Sequence, residues 1–269
     1  MGRIGRSFQL VGQSYRILMK DKKLMVLPLI SGIFIVAVLA AMAAGFSLGG
    51  QHPPTRGPQL YLPIFLFYVV TYTIGVFFQA AVIAGATERM RGGDPTFGSA
   101  LGAAGHRFWS IVMWAVVAAT AGMIIRAIHD RVGFVGRLLT GLLGIAWSLA
   151  TFFIVPVLVL EDRSIPDSFK RSVSVFRETW GETAVGGTTL GAAVACAWLT
   201  LMLITGLLAM AIGIWALAVF VVGAAVLMIF FSALQGVFIA SLYRFATGGA
   251  ATSGLDPSLL GQVFVPKNR

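Results

Sequence analysis

The feature that most constrains this chain is residues 184–243, sixty consecutive positions without one charged side chain. About 20 apolar residues suffice for a helix to cross a hydrocarbon core roughly 30 Å thick. A run of this length must therefore cross twice and turn in between. Gly213 is the natural turning point, with Trp215 as an anchor at the membrane interface. Four further apolar stretches stand apart, at 24–46, 60–87, 110–128 and 138–160. The predicted fold is all-α, a polytopic membrane bundle with spans near 24–46, 60–87, 110–128, 138–160, 184–211 and 215–243. None of these runs alternates with the period of two that a half-buried strand requires.

Composition supports a lipid solvent. Hydrophobic residues make up 58% of the chain and charged ones 11%, against about 45–50% and 25% in soluble domains. The N-terminal pattern, basic and then apolar, raises a signal peptide. At 23 residues, however, 24–46 is long for the apolar core of one, so it reads as a retained first span. The single Cys196 permits neither an intrachain disulfide nor a paired-cysteine metal site.

The basic residues are distributed unevenly. With the N-terminus inside, sixteen of the 20 Lys and Arg fall in cytoplasmic segments and four, Arg56, Arg126, Arg131 and Arg137, in outer loops. By the positive-inside rule both termini are expected in the cytoplasm of a multi-pass protein in the plasma membrane. The net charge of +10 is then explained by orientation and anionic lipid; no nucleic-acid partner is expected, since no basic face interleaved with aromatic residues occurs.

An apolar stripe with spacing i, i+4, i+7, i+11 precedes spans one, three and five. It consists of Ile4, Phe8, Val11 and Tyr15, then Phe97, Leu101, Ala104 and Phe108, then Phe169, Val173, Phe176 and Trp180. Such spacing lines one side of a helix. Spans two and six also match at an offset of 156, which aligns Gln79 with Gln235, Ile83 with Ile239 and Ala84 with Ala240. The chain thus reads as three pseudo-repeats, each an interfacial amphipathic helix (about 3–20, 95–108 and 165–180) followed by a transmembrane hairpin. Together they form a single integral membrane domain over 1–246, with a short cytoplasmic tail at 247–269. The expected contacts to anionic lipid headgroups are Arg6, Arg16, Lys20, Lys170, Arg171 and Arg177.

Chemistry is sparse. All ten acidic residues lie at span ends or in loops, and His52, His106 and His129 are scattered. No nucleophile, phosphate-loop or metal motif is present, so catalytic, cofactor and metal residues are all predicted to be none, and the protein is expected not to be an enzyme. The intramembrane polar positions are Gln79, Thr151 and Gln235, placed at equivalent depth by the repeat, with Ser148, Ser232 and the stretch 68–73 nearby. Two readings are open: a shared polar site, or interhelical hydrogen bonds worth about 0.6 kcal/mol each. Pro156 should kink span four and free a backbone carbonyl, with Ser148 or Thr151 partly compensating.

The opening Gly2-Arg3-Ile4-Gly5-Arg6-Ser7, the Lys22-Lys23-Leu24 lead into Pro28-Leu29, the junction Leu160-Glu161-Asp162, the cluster Phe169-Lys170-Arg171-Ser172 and the ending Tyr243-Arg244-Phe245 resemble a group of uncharacterised bacterial integral membrane proteins. More distantly, the layout is similar to the membrane domain attached to some glycerophosphodiester phosphodiesterases, although no phosphodiesterase domain follows here. The resemblance implies a fold and carries no mechanism. The functional expectation is a membrane protein that binds or moves a small or lipidic solute; the alternative is a structural, lipid-organising scaffold.

Overall fold

A computed structural model describes the backbone of residues 3–48 and 61–247. Among the described residues the chain is helical throughout. The elements are α1 (Arg3–Lys20), a 3₁₀ turn (Lys22–Met25), α2 (Val26–Leu48), α3 (Tyr61–Met90), α4 (Phe97–His106), α5 (Phe108–His129), α6 (Phe134–Ala150), α7 (Ile154–Leu160), α8 (Ile165–Ile212) and α9 (Trp215–Ala246). Six segments are long and apolar enough to cross a membrane: Lys22–Gly45, Leu62–Met90, Phe108–His129, Phe134–Leu160, Gly186–Ile212 and Trp215–Arg244. The tail expected at 247–269 lies, apart from Thr247, outside the described residues.

The even-numbered spans are central. Helices α3, α7 and α9 contact one another, while α2, α5 and the far part of α8 lie around them. Their mutual approach rests on small residues, as the repeat anticipates. Ala80, Ala84, Gly236 and Ala240 are all buried, and a Cβ placed on Gly236 would lie 2.6 Å from Val82 Cγ1.

The core occupies one end of the bundle. It runs through Val76–Met90 of α3, Phe153–Leu158 of α7 and Ala233–Tyr243 of α9. Toward the opposite end large apolar side chains face outward, including Phe134 at 86% exposure, Met210 at 88% and Ile214 at 81%. In water such a surface would aggregate; in hydrocarbon it is the expected exterior.

Two expectations change. The third amphipathic stretch, 165–180, is not a separate interfacial helix. It continues into span five as α8, 48 residues long, or about 72 Å. Pro166 sits at its first turn, where proline is tolerated, and no proline follows until after the helix ends. Glycine in a helix interior costs only about 1 kcal/mol, so Gly181, Gly186 and Gly187 do not stop it. Gly213, with φ +59°, does. The faces of α1 also differ from expectation. The side buried on the bundle carries Gln13, Ser14, Ile17 and Leu18, while Tyr15 of the apolar stripe is 47% exposed. A membrane helix can turn its greasiest side to lipid and pack through small or polar residues. The side chains of Ile4, Phe8, Val11 and Trp180 lie outside the description.

Span four is broken at Thr151–Phe153, between α6 and α7. Pro156 has no N–H to offer the carbonyl four residues earlier, and its ring crowds that turn. The carbonyl so freed is that of Phe152; Thr151 donates instead to Trp147 O, and the backbone groups flanking the break are served by a neighbouring helix. Fully buried Ser172 of α8 donates its hydroxyl to the Ala150 carbonyl (2.7 Å) and accepts from the Phe153 N–H (3.2 Å). One side chain thus serves both stubs of the break. Ser172→Ala should destabilise the protein by about 1–3 kcal/mol, the cost of stranding buried backbone groups, as read by unfolding in mixed detergent and sodium dodecyl sulfate. An unchanged midpoint would refute the role given to this serine.

Candidate functional site

The nominated polar residues do not form one hydrogen-bonded site. Thr151 donates to Trp147 O within its own helix (2.8 Å). Gln79 is half-buried on α3, whereas Gln235 on α9 is exposed, one position before the interface residue Gly236. Among the described residues no hydrogen bond joins the three. Thr71 and Thr73 likewise bond carbonyls of α3 at 2.7 Å, the usual way for a helical threonine to satisfy itself.

Polar chemistry concentrates where the packed core meets the helix ends. Glu161, just beyond α7, accepts from Tyr243 of α9, from Arg163, and from Arg171 of α8 at 3.3 Å. Its neighbour Asp162 pairs with Arg107 at the start of α5. Arg89 Nε at the end of α3 lies 2.6 Å from Asp21 Oδ2, before the 3₁₀ turn; the contact is an ion pair by proximity, without an aligned hydrogen bond. The Ser99 hydroxyl of α4 donates to Glu88 Oε2 of α3 (2.9 Å). Each contact ties the end of one helix to another element, so together they clamp the packed end. An aromatic column does the same one layer in: Trp114 of α5 stacks on Trp147 of α6 at 6.0 Å, and Trp147 lies 5.8 Å from Phe169 of α8. These residues can orient helices; they do not present a nucleophile beside a base.

Two of the six nominated headgroup cations are engaged elsewhere. Arg171 is held by Glu161, and Lys170 Nζ lies 3.9 Å from Asp167. Arg16, Lys20 and Arg177 are exposed, and the Arg6 side chain lies outside the description.

A feature the sequence did not announce is a cleft between α2 and α3, in the loosely packed half. It is an open groove of about 390 Å³ lined by Val38, Met42, Gly45, Pro63, Leu66, Phe67 and Val70. Ligand sites span about 300–1,000 Å³. The wall is apolar almost throughout and sits about 18–28 Å along α2 from its start, at 1.5 Å per residue. Such a cavity can hold hydrocarbon and has nothing with which to orient a polar solute. No sequence pattern marks it, because its two walls come from different helices.

Comparison with known proteins places these features in a family. Residues 59–254, well over half of the chain, match the family of unknown function DUF6159. The class defined by the fold is thus a six-span, all-α membrane bundle; within that class the chain belongs to this family. No curated protein and no solved structure matches.

The clamp has a pH signature. Burial pushes the Glu161 carboxyl up, but hydrogen bonds from Tyr243, Arg163 and Arg171 outweigh it and hold the group below its ordinary value. A carboxyl depressed in the folded state contributes stability above its unfolded pKa, about 4.3, and loses it as pH falls through the lower folded value. Glu161→Gln should therefore melt below wild type at pH 7 in detergent, with the gap closing as pH drops below about 4. A gap independent of pH would show that the carboxylate charge is not what holds these ends.

Proposed function

We propose that this protein is a non-enzymatic, multi-pass component of a bacterial plasma membrane, with both termini in the cytoplasm, that binds a lipidic solute through the α2–α3 cleft. The single observation that carries this reading is the chemistry of the cleft wall: an open groove of ligand-sized volume, inside candidate spans, with apolar lining from Val38, Met42, Leu66 and Phe67. The occupant is an acyl or comparable linear chain, because only hydrocarbon is matched by such a wall. A small polar solute at Gln79, Thr151 and Gln235 is less well supported, since Thr151 is already satisfied and Gln235 is exposed.

The orientation follows from charge. The clamped end carries Arg89, Arg107, Arg163 and Arg171 together with the basic α1, so it should face the cytoplasm. A reporter fused after Arg269 should be active only on the cytoplasmic side, and one inserted beside Gly133, between α5 and α6, only outside. The reverse pattern would overturn the orientation.

The cleft is tested with a phospholipid carrying a photoactivatable group in its acyl chain, added to proteoliposomes. Labelling should concentrate at Val38, Met42, Leu66 and Phe67 over ordinary lipid-facing positions such as Leu142 and Leu203. Gly45→Trp should cut that labelling about tenfold, since an indole that excludes two methylenes costs ~1.6 kcal/mol. Uniform labelling, unaffected by Gly45→Trp, would favour the scaffold reading, in which the clamped helix ends are the whole of the design.

A further inference from the structure

The elbow where α1 meets α2 gathers cations, and its own carboxylate, Asp21, is engaged by Arg89. Arg16 and Lys20, four residues apart, share one exposed face of α1. The opposite side, with Ser14 and Leu18, and the flanking Gln13 and Ile17 are buried, and α1 packs on α8 and α9. The cations are therefore held in place rather than carried on a loose arm. Lys22 and Lys23 follow in the 3₁₀ turn, both exposed, at the first residues of the candidate span Lys22–Gly45. The only acidic residue in the first 48 positions is Asp21. Its side chain is 5% exposed and faces Arg89 of α3 at 2.6 Å. Among the described residues none of the four cations enters an ion pair or hydrogen bond.

We infer that the α1–α2 elbow, with Arg16, Lys20, Lys22 and Lys23, is a binding site for anionic phospholipid headgroups, and that the Asp21–Arg89 pair keeps the elbow's one carboxylate out of it. The level of the site argues for lipid over a soluble anion. Lys22 and Lys23 stand where the apolar run begins, which is where headgroup phosphates lie, and lysine stems can run along hydrocarbon while the ammonium stays at the interface. The charge is complementary, and attraction of basic residues to an anionic leaflet falls off within a Debye length. The α8 cluster is a poorer site, because Arg171 is spent on Glu161 and Lys170 faces Asp167, leaving Arg177 by itself. This site lies at the opposite end of α2 from the acyl cleft and stands or falls independently of it.

The test uses the full chain in nanodiscs of phosphatidylcholine with one-fifth phosphatidylglycerol. Electron paramagnetic resonance of spin-labelled versions of each lipid gives the selectivity of the protein-bound shell for phosphatidylglycerol over phosphatidylcholine. Wild type should prefer phosphatidylglycerol, and the preference should collapse in high salt. Arg16→Gln with Lys20→Gln, changes on an exposed helix face that spare the span, should lower selectivity at least about fivefold, the loss expected from either contact by itself. Lys22→Gln with Lys23→Gln should do the same, whereas Arg131→Gln with Arg137→Gln, exposed at the other end of the bundle, should leave it unchanged. Equal losses from all three pairs would reduce the effect to net charge and overturn the site, as would selectivity that survives removal of either elbow pair. Loss of selectivity when inorganic phosphate replaces chloride at constant ionic strength would identify a soluble-anion site instead.

Discussion

Hydrocarbon provides no hydrogen-bond partner, so each backbone N–H and C=O inside the bilayer must find one within the protein. The rest of this structure depends on that constraint. It converts six apolar stretches into helices, and it turns the break at Thr151–Phe153 into a tertiary problem that Ser172 of α8 solves by bonding Ala150 and Phe153. Once Ser172 is fixed there, α8 is registered against α7. The same registration brings Arg171, one residue earlier, to Glu161 at the end of α7. A local backbone requirement thereby sets the geometry of the ionic clamp.

The clamp and the core coincide at one end of the bundle, and the division has a physical reason. Lipid is as apolar as leucine, so burying leucine between helices gains little; small residues, hydrogen bonds and ion pairs do the joining. Ala80, Ala84, Gly236 and Ala240 bring α3 and α9 together, and Glu161 and Asp21 anchor the helix ends. Removing one member of a largely buried pair such as Asp21–Arg89 would strand the other charge, a change far costlier than loss of an exposed pair. The opposite half has a His129–Thr140 hydrogen bond joining α5 to α6 (2.8 Å) and a close approach of Gly223 to Leu201, and there the α2–α3 cleft opens.

Much of the fold was legible because its signals are local. The length of the apolar run 184–243 requires two crossings, and Gly213 divides it as expected; Pro156 marks the break in span four; the amphipathic stretches before spans one and three become α1 and α4. What was not legible depends on distant parts of the chain. Which hydroxyl serves the Ala150 and Phe153 ends of the break is decided by α8, a helix distant in sequence. The packed face of α1 is displaced from its apolar stripe, because apolarity in a membrane protein signals lipid as readily as core. Continuity of α8 through 180–184 is not marked in the sequence because Gly181 and the charged Glu182 interrupt the apolar pattern without ending a helix. The three polar positions at 79, 151 and 235 share no hydrogen bond among the described residues, and the repeat partners Gln79 and Gln235 differ in burial, half-buried against exposed.

The central claim is that the bundle is joined at its charged end and open at the other, and spin-label distances test it directly. With Cys196→Ala as background, one label pair at Gly102 and Arg177 reports on the clamped end and a second pair at Leu139 and Leu207 on the open end, all four positions being exposed. Regions with fewer buried contacts open at lower free-energy cost. In nanodiscs the account predicts a narrow distance distribution for the first pair and a broad one for the second. Equally narrow distributions at both ends, or a broad one at the charged end, would contradict it.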